Sequence, residues 1–480
     1  MDDTPLKGEV GGNDNINEEG LELPKEKNHK IKFFIIGGLI LAAVIAIIVI
    51  IIVLLILRDK DEKEEEEEKP NIKPRSLLEK LRSRPTPYYY YNTTRLNDTI
   101  KTVLDLSQKN NLKIHFSLKS NFNKKVVQLF KSHPEIGADC VSGGEVEYAI
   151  EQGFPKDKIV FAGIGKTDKE IEYAINESIF CINVESFEEL ENLNDICNRL
   201  GKKMNFGVRI NPNIAAHTHD KIITGSNETK FGIYIDECKD KFYNKIAEIY
   251  FKNNSKYSNL NFIGLHFHIG SQILNFSDYI PLCEKIDKYI EELNDRHISI
   301  TYLNLGGGLG VDYDEPDLHP LPDFEGFFNT YLTNITSLKK IGPDFNNNTN
   351  ITLHFELGRS MIAQSGLLIS TVIYVKRGIH KNFTILDAGM NDLIRPAMYD
   401  ALHQIEKVKD ENENDEEKEV YDVVGPICES SDVFAKNYTM DKVEKNDLVM
   451  IKSAGAYGES MASRYNYRKL IEGFMDYEFQ

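Results

Sequence analysis

The 480-residue chain carries 57 Lys and Arg against 75 Asp and Glu, a formal net charge of -18. That balance argues against a nucleic-acid partner, because phosphate recognition needs a concentrated basic face. Its composition, 41% hydrophobic and 10% aromatic, is that of a globular protein with room for two or three domains.

Residues 1–32 are polar and Gly-containing and read as a disordered tail. Residues 33–57 form an apolar run without a single charge. Its length suits a bilayer crossing and exceeds the core of a signal peptide, so one transmembrane helix is expected, with the lipid bilayer as a partner through 33–57. Lys25, Lys27, Lys30 and Lys32 precede the run and Arg58, Lys60 and Lys63 follow it, so the positive-inside rule selects no orientation. Residues 58–75, with the acidic run Asp61 to Glu68 and then Pro70 and Pro74, read as a charged, extended linker. The six cysteines (140, 181, 197, 238, 283 and 428) show no CxxC spacing and mostly apolar flanks, which by itself predicts buried free thiols.

Residues 76–110 lead into a region of alternating short apolar runs and longer amphipathic stretches. Strands are expected at Lys113–Leu118, Ala138–Val141, Lys158–Ala162, Phe180–Val184, Asn205–Ile210, Phe262–His268, Thr301–Leu305 and Thr352–Glu356. Helices are expected between them at Asn123–Ser132, Gly144–Gln152, Phe187–Leu200, Tyr279–Asn294 and Phe324–Lys339. Eight strands separated by helices predict an α/β fold, a (β/α)8 TIM-like barrel over 111–360. An open doubly wound sheet is the alternative, but the glycine fingerprint of a dinucleotide site is missing from the first turn. Beyond Arg359 the texture becomes strand-rich, at Leu367–Arg377, Phe383–Asp387, Tyr421–Gly425 and Asp447–Lys452, which predicts a mainly β domain over 361–480. The acidic stretch Lys409 to Glu419 inside it reads as a solvated loop.

In such a barrel, functional groups come from the carboxyl ends of the strands. Here those ends carry Lys119, Asp139, His266 and His268, Gly306-Gly307-Gly308, Glu356 and Gly358-Arg359. A lysine at a strand end is usually a solvated charge, and Ser120 and Asn121 beside it are expected to cap the next helix. His266-x-His268 could place two imidazoles on one strand face for a metal, yet the other strand ends offer Gly, Arg and Lys rather than further ligands. A phosphate-bearing cofactor fits better. Consecutive glycines let backbone N–H groups reach a phosphate, and a lysine, a ring-covering histidine and a pyridine-facing glutamate together point to pyridoxal 5'-phosphate.

Four stretches then carry a resemblance: His-Phe-His-Ile-Gly-Ser-Gln (266–272), Asn-Leu-Gly-Gly-Gly-Leu-Gly (304–310), Gly-Pro-Ile-Cys-Glu-Ser-Ser-Asp (425–432) and Ala-Gly-Ala-Tyr-Gly (454–458). They resemble the fold-type III pyridoxal phosphate decarboxylases, over roughly Pro85 to Asn466. Lys230-Phe231-Gly232 and the run from Asp387 to Tyr399 resemble the diaminopimelate decarboxylase branch. The resemblance implies an alanine-racemase-like barrel and a β domain to which the segment before the barrel contributes. It implies that Lys119 holds the cofactor covalently, that His268 stacks on its ring, that Asp139 lies in the neighbouring pocket and that Glu356 faces the pyridine nitrogen. Ser271, Gly307, Gly308, Gly358 and Arg359 match phosphate-region positions, and Tyr457 matches the tyrosine that closes over the cofactor. Arg359, Arg395, Tyr399, Glu429 and Tyr457 match substrate contacts. Cys428 matches a proton donor that, with Glu429, reaches across a homodimer interface into a shared active site.

The implied reaction converts meso-2,6-diaminopimelate to L-lysine and CO2. A decarboxylase of ornithine, arginine or another basic amino acid, and a binding-only homologue, remain as alternatives; Arg395 speaks against the first and the presence of Lys119 and Cys428 against the second. A cytoplasmic catalytic face agrees with cofactor and substrate supply, whereas sequons at Asn92, Asn97 and Asn334 favour the opposite side. The chain departs from the family pattern at Ser120, where alanine is usual, at Leu357, where proline is usual, and in the loop from His217 to Ile222, usually more aromatic.

Overall fold

The structure is a computed structural model and describes residues 44–56 and 76–479, except 215–221, 223, 227–228, 253–254, 339–350 and 411–416. It divides into two compact units, 1–74 and 75–480. In the first, residues 44–56 are helical and exposed throughout. No helix among the described residues is long and apolar enough to cross a membrane. The rest of the expected 33–57 span lies outside the described residues, as do the tail 1–32, the linker 58–75 and most of the 217–222 loop.

In the second unit, strand β1 (Tyr88–Tyr91) is followed by the eight strands of a closed parallel barrel: β2 (Leu112–Ser117), β3 (Ile136–Cys140), β4 (Ile159–Phe161), β5 (Cys181–Val184), β6 (Met204–Arg209), β7 (Leu260–His266), β8 (Tyr302–Asn304) and β9 (Thr352–Leu357). Closure is set by β2, which pairs with β3 through Ile114–Ile136 to Ser117–Asp139 and with β9 through Leu112–Leu353 to Phe116–Leu357. These strands are short and buried along almost their whole length, as expected when helices cover the outside and side chains fill the inside. The helices start where side chains can satisfy the free N–H groups: Asn123, Ser142, Thr167 and Ser186 each accept from the first turn, and Thr167 does so in a reciprocal pair with Glu170.

Two local expectations fail. Ser120 and Asn121 do not cap the helix Lys124–Lys131; Asn123 does, accepting from the Lys125 N–H. Ser120 instead donates to the Ser117 carbonyl at 2.7 Å, and Asn121 donates to Tyr91 and to the Gly455 carbonyl, both at 2.8 Å. The helix that begins at Phe324 ends at Asn334 rather than Lys339. It stops because the backbone N–H and hydroxyl groups of Thr336 and Ser337 turn onto the Asp287 carboxylate at 2.6–2.9 Å.

After β9 come β10 (Gly366–Arg377), β11 (Asn382–Leu386), β12 (Ile405–Lys407), β13 (Lys418–Val424), β14 (Val433–Asp441), β15 (Leu448–Ile451) and β16 (Gly473–Met475). They form a sheet in the order β12-β15-β10-β11-β13-β14, and β1 joins it antiparallel to β10 and parallel to β16. Lys418 and Glu419 open β13, which shortens the expected acidic loop; 411–416 lie outside the described residues. One hydrophobic core runs from the barrel into this sheet, joining Phe116 and Phe355 to Val449 and Ile451.

Candidate active site

Lys119 follows β2 in a short turn, Leu118–Ser120. Its Nζ lies 3.7 Å from Asp139 Oδ2 at the end of β3, with the lysine side chain 37% exposed and the aspartate fully buried. Ser117 donates to the same carboxylate oxygen at 2.7 Å, while Asp139 Oδ1 is buried without a partner. Burial and the nearby Glu356 charge push Asp139 up to about 6, against the pull of Lys119. Burial weighs against the Lys119 ammonium, but the charges of Asp139 and Glu356 outweigh it and hold its pKa above the ordinary value.

On the neighbouring strand, Glu356 near the end of β9 has both oxygens engaged, Oε2 with His266 Nε2 at 3.1 Å and Oε1 accepting from Asn304 at 2.6 Å. Burial alone would raise this acid; His266 and Lys119 reverse that and keep it well below the usual carboxylate range. It is therefore ionised. Strand β7 ends at His266, so the two histidines do not share a strand face: His266 meets Glu356, while His268 lies beyond the strand and accepts from the Gly307 N–H at 3.3 Å. Burial, then the charges of Lys119 and Arg209, lowers His268 far below its ordinary pKa and leaves it neutral.

The glycines are required by space. A Cβ on Gly307 would overlap the Glu356 carbonyl, and on Gly308, at φ +106°, it would lie 2.8 Å from the Gly270 carbonyl. Gly358 sits 3.1 Å, measured from its would-be Cβ, from Ser117 and Ser120. The hydroxyl of Ser120 is satisfied within its own turn, and its carbonyl accepts from the Tyr457 N–H at 2.8 Å, which ties the β domain to the lysine turn.

Lys119, Glu356, His266 and His268 converge on a cavity of about 410 Å³ that Arg209, Phe231, Ser271, Arg359, Arg395, Tyr399 and Tyr457 also line; Asp139, Gly307, Gly308 and Gly358 lie outside its lining. Arg359 donates to Ser271 at 3.0 and 3.2 Å and to Tyr313 at 2.8 Å, with its guanidinium 4.9 Å from the Tyr457 ring. The cavity continues past Arg359, Arg395 and Tyr399 into a second space of about 250 Å³. A larger cavity, about 810 Å³, opens at the strand starts beside Lys113, His115 and His354. It faces the end of the barrel that stabilises rather than reacts.

Cys428 and Glu429 do not line the mouth of their own chain; both are exposed, and the Cys428 N–H donates to Asn466 at 2.8 Å. Cys428 is thus not a buried thiol, and Cys238 is only half-buried; the other four cysteines are buried. Composition and spacing do not point to Arg209, Asn304, Tyr313 or His403. Arg209 ends β6 and pairs with Glu185 at 3.0 Å, and Glu185 also accepts from the Gly232 N–H, so the Lys230-Phe231-Gly232 motif is pinned to the strand ends at the barrel mouth.

The residues present fit pyridoxal phosphate. An amine, an ionised carboxylate and a neutral imidazole line one cavity, and the chain at Gly307 and Gly308 leaves no room for a side chain. Residues 95–363 match the family model described as the pyridoxal-dependent decarboxylase, pyridoxal binding domain. A diaminopimelate decarboxylase of Bacteroides thetaiotaomicron is 46% identical over 398 residues, 83% of this chain and 97% of that protein. The enzyme of the same name from Aquifex aeolicus is 37% identical, over 82% of this chain and 87% of its own. The crystal structure of diaminopimelate decarboxylase from Helicobacter pylori complexed with L-lysine superposes with a TM-score of 0.71 at 36% identity, covering 82% of this chain and 93% of that one.

Proposed function

Because this chain belongs to the pyridoxal-dependent decarboxylases, and among them to the diaminopimelate decarboxylases, we propose that it converts meso-2,6-diaminopimelate to L-lysine and CO2 from a membrane-anchored body. The observation that carries the substrate assignment is the pair of buried guanidiniums, Arg359 and Arg395, lining the same cavity as Lys119. Ornithine has no second carboxylate for such a pair to hold.

When bound, pyridoxal phosphate supplies an electron-withdrawing ring that takes up the electron pair left on the α-carbon as CO2 departs. Lys119 is the amine placed to hold the cofactor and to yield it to the amine of the substrate. Glu356, ionised and fixed by His266 and Asn304, is suited to keep a proton on the pyridine nitrogen. His268 would cover the ring. Ser271, Gly307, Gly308, Gly358 and Arg359 would hold the phosphate, Asp139 would stand in the adjoining pocket, and Tyr457 would close the mouth. Arg395 and Tyr399 face the distal carboxylate. Cys428 from a second copy of the chain delivers the proton to the α-carbon, and Glu429 beside it receives the distal ammonium. This assignment makes the working unit a homodimer. The uncharged run 33–57, followed by a charged stalk, supports a single-pass anchor.

Full-length protein expressed in cells, fractionated and supplied with pyridoxal phosphate, tests this reading. Membranes washed in alkaline carbonate should release CO2 and L-lysine in equal amounts from meso-diaminopimelate. Turnover of ornithine or arginine without turnover of diaminopimelate would overturn the substrate. Diaminopimelate activity confined to the soluble fraction would overturn the anchor alone.

A further inference from the structure

A buried arginine is ordinarily held by a carboxylate, as Arg209 is by Glu185. Two others at this mouth are not. Arg359 and Arg395 are 7% and 4% exposed, and among the described residues their hydrogen-bond partners are neutral. Arg395 donates to His403 Nε2 at 2.8 Å, and its Nε–H is buried without a partner. His403, itself 4% exposed, sits 2.8 Å from the Lys452 carbonyl through Nδ1. A carbonyl can only accept, so the imidazole proton belongs on Nδ1 and Nε2 is left as the acceptor that Arg395 needs. Tyr313 completes the arrangement: the Arg395 guanidinium lies 4.5 Å from its ring centroid, and the ring stands edge-on to His403 at 5.1 Å and 74°. Burial, followed by the Arg395 charge, lowers the His403 pKa to about 3, so the imidazole stays neutral.

We propose that His403 is a positioning residue that fixes Arg395 for the distal carboxylate of the substrate, and that its neutrality is the essential property. A carboxylate in its place would hold Arg395 as firmly, but it would neutralise the charge the substrate needs and compete for the same donors. A neutral acceptor orients the fork and leaves its charge unspent. This inference rests on reading Arg395 as the distal-carboxylate clamp.

Full-chain holoenzyme is titrated with L-lysine, which keeps the distal carboxylate, and with cadaverine, which is L-lysine without it, following the absorbance of the bound cofactor. The variants are His403→Gln, His403→Glu, His403→Leu and Arg395→Ala. Gln and Glu have the same shape and differ in charge. His403→Gln should keep the preference for L-lysine over cadaverine within about threefold, since one neutral hydrogen bond replaces another. His403→Glu should cut that preference by about 30-fold or more by occupying Arg395, and His403→Leu by a similar factor by releasing it, while cadaverine binding changes little. Wild-type preference in His403→Glu, or equal weakening of both ligands in all three variants, would overturn the inference. If His403→Glu fails to retain cofactor, the Gln and Leu variants decide, and equal preference in those two overturns it. If Arg395→Ala keeps the preference, the clamp reading itself falls; if Arg395→Ala loses it while His403→Glu and His403→Leu keep it, only the role of His403 falls.

Discussion

Lys119 and Glu356 bring opposite charges to one mouth, and each is set by groups that a linear reading treats unequally. Lys119, His268, Gly307 and Glu356 could be picked out because they end strands, and strand ends share a mouth. Asn304, Tyr313 and His403 could not, because their roles depend on neighbours distant in sequence, and His266, picked out but paired with His268 by spacing, belongs to Glu356 instead. A second histidine pair lies at the far end. His115 and His354 stack at 5.2 Å and share a hydrogen bond of 2.9 Å, with His115 Nδ1 also on the Lys158 carbonyl. Burial lowers His115 from 6.5 to about 4. The unfolded chain therefore takes up this proton first, and stability falls as pH drops from 6.5 to about 4, with no contribution above that window. At about 1.4 kcal/mol per pH unit the loss is about 3 kcal/mol. Urea midpoints measured across this range should fall less steeply in His115→Gln than in the wild type; parallel slopes would contradict the assignment.

At the level of elements, the eight barrel strands begin and end within two residues of the sequence expectation, because a continuous buried strand between amphipathic helices leaves a strong pattern. In the sheet, β10, β11, β13 and β15 lie within three residues of expectation, while others leave no such pattern. Tyr88–Tyr91 is four identical residues with no alternation, Gly473–Met475 is three residues long, and Val433–Asp441 exposes its middle around Lys436 and Asn437. Such strands are defined by their partners rather than by their own period. The loop after β8 gives the sharpest test of an element. Ala in place of Gly307 must push the chain away from the Glu356 carbonyl. Gly307→Ala should weaken pyridoxal phosphate binding by about tenfold or more, as the backbone cradle is displaced, with the fold retained. Unaltered cofactor affinity in an absorbance titration would show that this loop does not form the cradle.

For the whole molecule, the exposed Cys428 and Glu429 set the arrangement to be tested. Their place in the reaction came from motif resemblance alone, since neither lines the mouth of its own chain. Lys119→Ala and Cys428→Ala should each be inactive as homodimers, whereas co-expression should restore about a quarter of wild-type activity, because half the dimers then carry one intact site. No recovery would contradict a shared site. The apolar run at the amino-terminal end is legible in the sequence, whereas the described residues include only its 44–56 portion. The most direct measurement on the account as a whole is the specificity constant of the full-length holoenzyme for meso-diaminopimelate, ornithine and arginine, taken from CO2 release under one set of conditions. Diaminopimelate should exceed the other two by about 10⁴-fold, because their side chains leave buried guanidiniums unpaired. Equal constants, or a preference for ornithine, would contradict it.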